Sequence, residues 1–192
     1  MDLRDRKRVE AMRRVQAAAL DLFESRGFDR VTIEEIAAVA EVGPATVYRH
    51  FGSKEHVVLW DEYDPQLFLA IAARLATATP LAAVREAFVE ALDRHYAEDA
   101  ERILRRARLM GETPALQIAT AANLRAMRQS LVELFLEKRA AGDALEATVV
   151  AGAIVATIEA AIAHWVAAGG RRKLRQVIAL AFRRLDRLTR PR

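Results

Sequence analysis

The sequence contains no cysteine, and its 192 residues include only five prolines, eight glycines and 6% aromatic residues. The lack of cysteine excludes disulfide bonds and cysteine-ligated metal sites. The scarcity of turn-forming and aromatic residues argues against a β-sheet protein, because strands need frequent turns and favour aromatic side chains. A content of 53% hydrophobic residues excludes a disordered chain. These features predict a mostly helical globular protein with one large domain or two small ones.

The chain also lacks an N-terminal apolar segment of the signal-peptide type, because its first residues are charged. This absence predicts a cytoplasmic protein. The longest apolar stretch, residues 149–166, contains Glu159 and His164. A membrane span needs about 20 largely uncharged residues, so we predict a buried helix there and no membrane partner.

Patterns that support catalysis are missing as well. The sequence has no glycine-rich phosphate loop and no pair of histidines at metal-binding spacing, and its four histidines lie in unrelated segments. We therefore predict that the protein is not an enzyme and needs no metal or other cofactor.

Basic residues are concentrated at the two ends of the chain. Residues 4–14 contain six lysines and arginines against two acids, and residues 171–192 contain nine against one. The formal net charge is only +4, so this uneven distribution indicates a polyanionic partner near at least one end. Solvated faces of terminal helices are the alternative interpretation.

Helical periodicity and capping residues predict an all-α fold of about nine helices. The first helix is predicted to end at Gly27, a capping box at Thr32 begins the second, Pro44 begins the third and Ser53 caps the fourth, which extends to about residue 63. We place a domain boundary after residue 53, because the later helices are longer. The predicted helices cover about residues 6–26, 33–41, 44–50, 53–63, 79–97, 98–110, 113–139, 143–169 and 171–188.

Residues 32–51 read TIEEIAAVAEVGPATVYRHF and have the pattern of a helix-turn-helix. Two short helices are joined by a tight turn that contains Gly43, and the preceding helix is placed to support them. In such a motif the N-terminal residues of the second helix enter the DNA major groove. The pattern therefore predicts double-stranded DNA as a partner.

The segment resembles the DNA-binding domain of the TetR family of bacterial transcriptional regulators, through Thr46, Tyr48, His50, Phe51 and Lys54. The resemblance covers about residues 6–60. It implies that Tyr48, His50 and Lys54 contact DNA phosphates, which fix the register without reading the base sequence.

Further DNA contacts are predicted around these positions. Thr32 and the N-terminal amides of the second helix can also bind phosphate. Pro44 and Ala45 offer apolar contact to thymine methyl groups, with Thr46 and Arg49 nearby, and Arg49 can make a bidentate contact with guanine. Glu34 begins the second helix, where an acid opposes DNA binding unless it is paired with an arginine.

Two rows of apolar residues in the last two predicted helices have spacings of four and three residues, typical of helices that pack together. Both helices also carry apolar residues outside these rows, such as Val149 and Leu180, so each needs a second packing surface. A four-helix interface between two copies supplies that surface and predicts a homodimer. Packing within one chain is the alternative. The predicted interface residues are Ala151, Val155, Ile158, Ile162, Trp165, Leu174, Ile178, Ala181 and Leu185.

An arginine cluster points to a possible effector site. Arg102, Arg105 and Arg106 share one helix face, where they either bind an anionic head group or form a solvated basic face. The segments 106–116 and 163–170 resemble the TetR branch with an acyl-CoA-like ligand-binding domain, which includes the regulator of mycofactocin genes. This resemblance implies an acyl chain beside the apolar side chains Phe88, Leu92, Met127 and Leu131.

The sequence thus predicts a dimeric TetR-like repressor that binds a palindromic operator and is released by a lipophilic, acyl-CoA-like effector. Two alternatives stay open. A sensor of cationic, aromatic drug-like molecules would use Glu159, Trp165 and Tyr96. A constitutive, ligand-independent DNA-binding dimer would have its pocket filled by side chains.

Overall fold

A computed structural model describes residues 3–61, 64–95 and 100–189. Within these ranges the chain forms ten α-helices and one short 3-10 turn, Phe28–Arg30, and contains no strand. The predicted all-α fold is confirmed. The helices are α1 (Leu3–Arg26), α2 (Ile33–Val39), α3 (Pro44–Phe51), α4 (Lys54–Leu59), α5 (Asp64–Arg74), α6 (Pro80–His95), α7 (Ala100–Glu112), α8 (Pro114–Glu137), α9 (Ala144–Ala167) and α10 (Leu174–Thr189).

Local capping signals place the helix ends close to their predicted positions. Thr32, Ser53 and Asp143 are the N-caps of α2, α4 and α9, and each side chain accepts a hydrogen bond from the backbone three residues later. Gly27 ends α1 with a φ of 86°, a conformation that glycine adopts without strain. Caps are contacts between near neighbours in sequence, so the amino-acid pattern alone locates them.

The chain divides into two compact units. The N-terminal unit comprises Met1–Glu62 and Arg108–Thr120, and the C-terminal unit comprises Tyr63–Ala107 and Ala121–Arg192. The predicted boundary after residue 53 is therefore displaced, because α4 belongs with α1 to α3. Residues 108–120 also belong to the N-terminal unit, where Leu116 is fully buried in the core.

The fourth helix is shorter than predicted. It ends at Leu59, and α5 begins separately at Asp64. The side-chain amide of Gln16 donates to the carbonyl oxygens of Val57 and Trp60, at 2.9 and 2.8 Å. These bonds supply donors to carbonyls at the end of α4, which lack partners within the helix.

The C-terminal unit is built around α9, which packs against α10 and α6. Seven of its 24 residues are buried, and they share one core with residues of α5, α6, α8 and α10. Among the described residues, α9 is the one helix long and apolar enough to cross a membrane. That is weak evidence for a membrane span, because core helices have the same composition.

Candidate nucleic-acid interface

The second helix is held by a complete capping box. The Thr32 backbone N–H donates to Glu35 Oε2 at 2.9 Å, and the Glu35 N–H donates to Thr32 Oγ1 at 3.2 Å. Arg26 pairs with the other carboxylate oxygen of Glu35 at 2.8 Å. The hydrogen bond from Thr32 and the contact with Arg26 lower the pKa of Glu35. The predicted capping box is confirmed, and the hydroxyl of Thr32 is used within it.

The turn between α2 and α3 differs in detail from the prediction. Glu41, with a φ of 56°, takes the left-handed conformation, whereas Gly43 has an extended backbone and precedes α3. The Val42 N–H donates to the Ala37 carbonyl at 3.0 Å and closes the turn. Pro44 occupies the first turn of α3, where its missing N–H leaves no bond unmade.

The third helix has a buried side and an exposed side. Val47 and Phe51 are buried in the core of the N-terminal unit, and the Phe51 ring packs edge-on against Trp60 at a centroid distance of 5.8 Å. The other side chains of the helix lie at the surface, with Thr46 half-buried. The exposed residues are Pro44, Ala45, Tyr48, Arg49 and His50. The structure thus brings the predicted DNA-contact residues of α3 together on one accessible surface.

Glu34 pairs with a tyrosine instead of an arginine. The Tyr48 hydroxyl donates to Glu34 Oε1 at 3.0 Å, and this bond raises the pKa of the phenol. Both side chains are exposed, so the pair links the surfaces of α2 and α3. The bond also directs the Tyr48 hydroxyl in the free protein.

Lys54 occupies a different environment from the one that the sequence implied. Its ammonium donates to the carbonyl oxygens of Phe28 and Val31, at 2.7 and 3.2 Å, and lies 4.3 Å from the centroid of the Phe28 ring. These contacts lie within the free chain, and the phosphate contact of Lys54 stays a prediction. Lys54 ties the start of α4 to the turn before α2, through hydrogen bonds and a cation–π contact.

The electrostatics of His50 predict a pH dependence of DNA binding. Burial lowers its pKa, and so do the positive charges of Arg49 and Arg8. These effects favour the neutral imidazole in the free protein, whereas a phosphate at the predicted contact with His50 would favour the imidazolium and raise its pKa.

We expect DNA affinity to rise several-fold between about pH 8 and about pH 6, because binding takes up a proton. The gain in DNA affinity disappears as the pH rises through the pKa of His50 in the DNA-bound protein. It reaches its full size below the pKa of His50 in the free protein. Fluorescence anisotropy with a labelled duplex at constant ionic strength measures it. The His50→Gln variant should lose this dependence, and His164→Gln, in the C-terminal unit, should keep it. An unchanged pH profile in His50→Gln would contradict the assignment.

The predicted effector residues lie in the C-terminal unit. Leu92 and Leu131 are buried in its core, and Phe88 and Met127 are partly buried and pack against that core. Arg102, Arg105 and Arg106 are half-buried on α7, and each makes a polar or electrostatic contact. Glu159 is exposed and Trp165 is buried, while Tyr96 lies outside the described residues. The position of the apolar residues fits either a core or the wall of a pocket.

Four of the nine predicted interface residues require correction. Ala151, Val155, Ile158 and Ile178 are at most 6% exposed and belong to the core of their own chain, and Ile162 and Leu174 pack against it. The four buried side chains cannot contact a second copy, whereas Ile162 and Leu174 stay partly exposed. Ala181 and Leu185 line a groove between α9 and α10, together with Trp165, which is only 2% exposed.

That groove has a volume of about 870 Å³ and lies on the outer side of the two helices. On α9 its wall is made of small side chains at helical spacing, among them Ala153, Ala156 and Ala160. On α10 it includes Leu180 and Leu188, and Leu188 is 85% exposed. The lining also includes Arg171, Arg172 and Arg184. We call this mainly apolar surface the α9–α10 groove.

Gln16 is a structurally important residue that the sequence analysis missed. Its side chain is only 1% exposed. A signal was present, because Gln16 lies on the inward face of α1 beside Met12, Ala19 and Leu20. A polar residue on an apolar helix face indicates a buried hydrogen bond, although its partners are more than 40 residues away.

A small helical unit that exposes one helix of a helix-turn-helix, followed by a larger helical unit, defines a DNA-binding regulator. The model for "Bacterial regulatory proteins, tetR family" matches residues 16–59, and that for the "MftR C-terminal domain" matches residues 78–189. The chain belongs to the TetR family of transcriptional regulators, which are typically ligand-responsive repressors. The resemblance to the mycofactocin-regulator branch is confirmed.

Individual relatives agree with this assignment. The HTH-type transcriptional regulator TcmR of Streptomyces glaucescens is 38% identical over 94 residues, which cover 48% of this chain and 42% of TcmR. The match thus spans less than half of that relative.

Two solved structures share the fold. The SmeT–triclosan complex, from Stenotrophomonas maltophilia, has a TM-score of 0.60 and 20% identity, and covers 90% of this chain and 88% of its own. Thermus thermophilus FadR in complex with lauroyl-CoA has a TM-score of 0.56 and 21% identity, and covers 94% of this chain and 96% of its own. At such identities the likeness supports the fold alone.

Proposed function

We propose that this protein is a cytoplasmic, homodimeric repressor that binds a palindromic operator and releases it when a lipophilic effector binds. The observation that carries the DNA-binding part is the exposed surface of α3. Val47 and Phe51 anchor that helix in the core, which leaves Tyr48, Arg49 and His50 available to DNA. A major groove admits one α-helix, and a short helix fixed at its base presents its exposed side chains in a defined direction.

The residues of α3 and α2 have different roles in this proposal. Tyr48 and His50 contact phosphates, and Thr32 marks the N-terminus of α2, whose amides also favour phosphate. Pro44, Ala45 and Thr46 lie in the first turn of α3, next to the base edges. Arg49 is the exposed side chain of α3 that can make two hydrogen bonds to a guanine.

Substitutions in α3 test these roles. Tyr48→Ala should weaken binding to operator and random duplexes by a similar factor, because phosphates are common to both. Arg49→Ala should cost about 1 to 3 kcal/mol of discrimination at one base pair. The operator is first located in the DNA that flanks the protein's own gene. Affinities for a panel of its single-base variants then measure both effects.

Arg125→Ala, an exposed arginine on α8, provides the matched control and should leave binding unchanged. If Arg49→Ala weakens binding to every sequence equally, Arg49 contacts the backbone and the proposed base contact is wrong.

Dimerisation supplies the second half of the operator contact. Two recognition helices about 34 to 36 Å apart, or a multiple of that distance, reach successive major grooves on one side of the DNA. The α9–α10 groove supports a self-complementary interface, because its small side chains let a second pair of helices approach closely.

The effector part of the proposal rests on the C-terminal unit. Its family model is that of the mycofactocin regulator, and FadR, a structure of similar fold, binds lauroyl-CoA. We infer that an acyl chain lies beside Phe88, Leu92, Met127 and Leu131, with anionic groups near the arginines of α7.

A drug-like effector is the second candidate, since SmeT has a similar fold and binds triclosan. Native mass spectrometry of the purified protein, followed by titration of palmitoyl-CoA against the operator complex, separates the candidates. Release of DNA by palmitoyl-CoA supports the lipid sensor. Release by triclosan alone favours the drug sensor, and DNA binding that no effector changes favours a constitutive dimer.

A further inference from the structure

We propose that the N-terminal turns of α1 form a second DNA-contact surface, in which Arg4 and Arg8 contact the phosphates of the DNA backbone beside each half-site. We call these two side chains the α1 basic row. The inference rests on the proposed DNA-binding function and extends it from the helix-turn-helix to a segment of the chain that precedes residue 16, where the family match begins.

The α1 basic row is a continuation of the inward face of its helix. Arg4 and Arg8 stand four residues apart, and Met12, Val15 and Ala19 follow at intervals of four, three and four, which keeps all five on one face. Met12, Val15 and Ala19 are buried in the N-terminal unit. Between residues 4 and 11 no side chain is buried. The first turns of α1 therefore extend beyond the core. There, Arg4 and Arg8 occupy the face of the helix that is buried from Met12 onwards.

Arg8, the second member of the row, lies near the recognition helix. Arg8 is one of the positive charges that lower the pKa of His50, at the C-terminal end of α3. Burial and Arg49 make the larger contributions. Because His50 belongs to the exposed surface of α3, DNA docked on that surface brings its backbone towards Arg8.

Local helix stability does not explain these charges. Positive side chains in the first turns oppose the helix dipole, which favours acids there. Asp5 offsets part of this effect through an exposed ion pair with Arg8 at 3.3 Å. A charge pattern that works against its own helix indicates an external partner, and closely spaced phosphates are the complementary surface.

The opposite face of the same helix provides a matched control. Arg6 and Arg13 are exposed and lie about half a turn away from the basic row. The variants Arg4→Gln/Arg8→Gln and Arg6→Gln/Arg13→Gln therefore remove equal charge from one helix, but from different sides.

Fluorescence anisotropy with the operator duplex and with a random duplex of equal length, over a range of salt concentrations, tests the proposal. We expect Arg4→Gln/Arg8→Gln to weaken binding to both duplexes about tenfold. The slope of log K against log salt should fall by up to about 0.9 for each lost contact. Arg6→Gln/Arg13→Gln should change affinity less than about threefold and keep the slope. Circular dichroism checks that α1 stays helical.

Equal losses in the two double variants would show a general charge effect and overturn the proposal, as would an unchanged salt slope in Arg4→Gln/Arg8→Gln. The Tyr48→Ala variant separates this failure from failure of the proposed function. If Tyr48→Ala weakens DNA binding while the basic-row variant does not, only the α1 surface is wrong. If the wild-type chain shows no binding to either duplex, the proposed function itself fails.

Discussion

Replacing Ala160 with arginine is expected to convert the proposed dimer into monomers and to weaken operator binding about a hundredfold or more. Ala160 is exposed and lies midway along the α9 wall of the α9–α10 groove. In a two-fold interface the substituted residue faces the same surface of the partner, so each dimer acquires two bulky charges in a closely packed apolar region. In a dimer, binding of one recognition helix raises the effective concentration of the other at the second half-site, which increases operator affinity by a factor of about 10² to 10⁴. A monomer loses this gain.

Analytical ultracentrifugation and operator titration measure these two consequences separately. Ala163→Arg is the control, because Ala163 is an exposed alanine of the same helix that does not line the groove. The control should remain dimeric and bind the operator normally. If Ala160→Arg also sediments as a dimer, the interface lies elsewhere on the chain.

The Gln16→Leu variant is expected to lose about 3 kcal/mol of unfolding free energy, with a fall in Tm of about 6 to 12 °C. Among the described residues Gln16 is the one buried polar side chain. Its amide donates to three carbonyl oxygens, those of Val57, Val58 and Trp60, at 2.9, 3.4 and 2.8 Å. Leucine fills a similar volume but donates nothing, so these carbonyls remain buried without their donor.

Urea denaturation followed by circular dichroism measures this loss. Gln129→Leu is the matched control, because Gln129 is exposed and its amide donates only to the neighbouring Glu133 side chain, at 3.3 Å. We expect a change within about 0.5 kcal/mol for the control. Equal stabilities of the two variants would mean that water replaces the Gln16 amide without loss.

Features that depend on near neighbours could be predicted from the sequence. The caps at Thr32, Ser53 and Asp143 each join residues three positions apart, and the structure contains all three. The buried positions Val47 and Phe51 follow from helical spacing, which also exposes Tyr48 and Arg49. The helix-turn-helix and its exposed residues are thus determined locally.

The hydrogen bonds of Lys54 could not be predicted in this way. Its partners are the carbonyls of Phe28 and Val31, which are 26 and 23 residues away. Only folding brings these carbonyl oxygens within reach of the Lys54 ammonium. The hydrogen bond between Tyr48 and Glu34 could not be predicted either, because the two residues are 14 positions apart in the sequence.

The helical fold class, the helix ends and the position of the recognition helix follow from the amino-acid pattern, because they depend on periodicity and on contacts within one or two helical turns. The side of α9 that enters the core depends instead on long-range packing. That helix is apolar on several sides, so hydrophobicity does not distinguish Ala151 and Ile158, which pack inside, from Ala156 and Ala160, which line the outer groove. Long-range packing also places α4 and residues 108–120 in the N-terminal unit, since their burial depends on residues distant in the sequence.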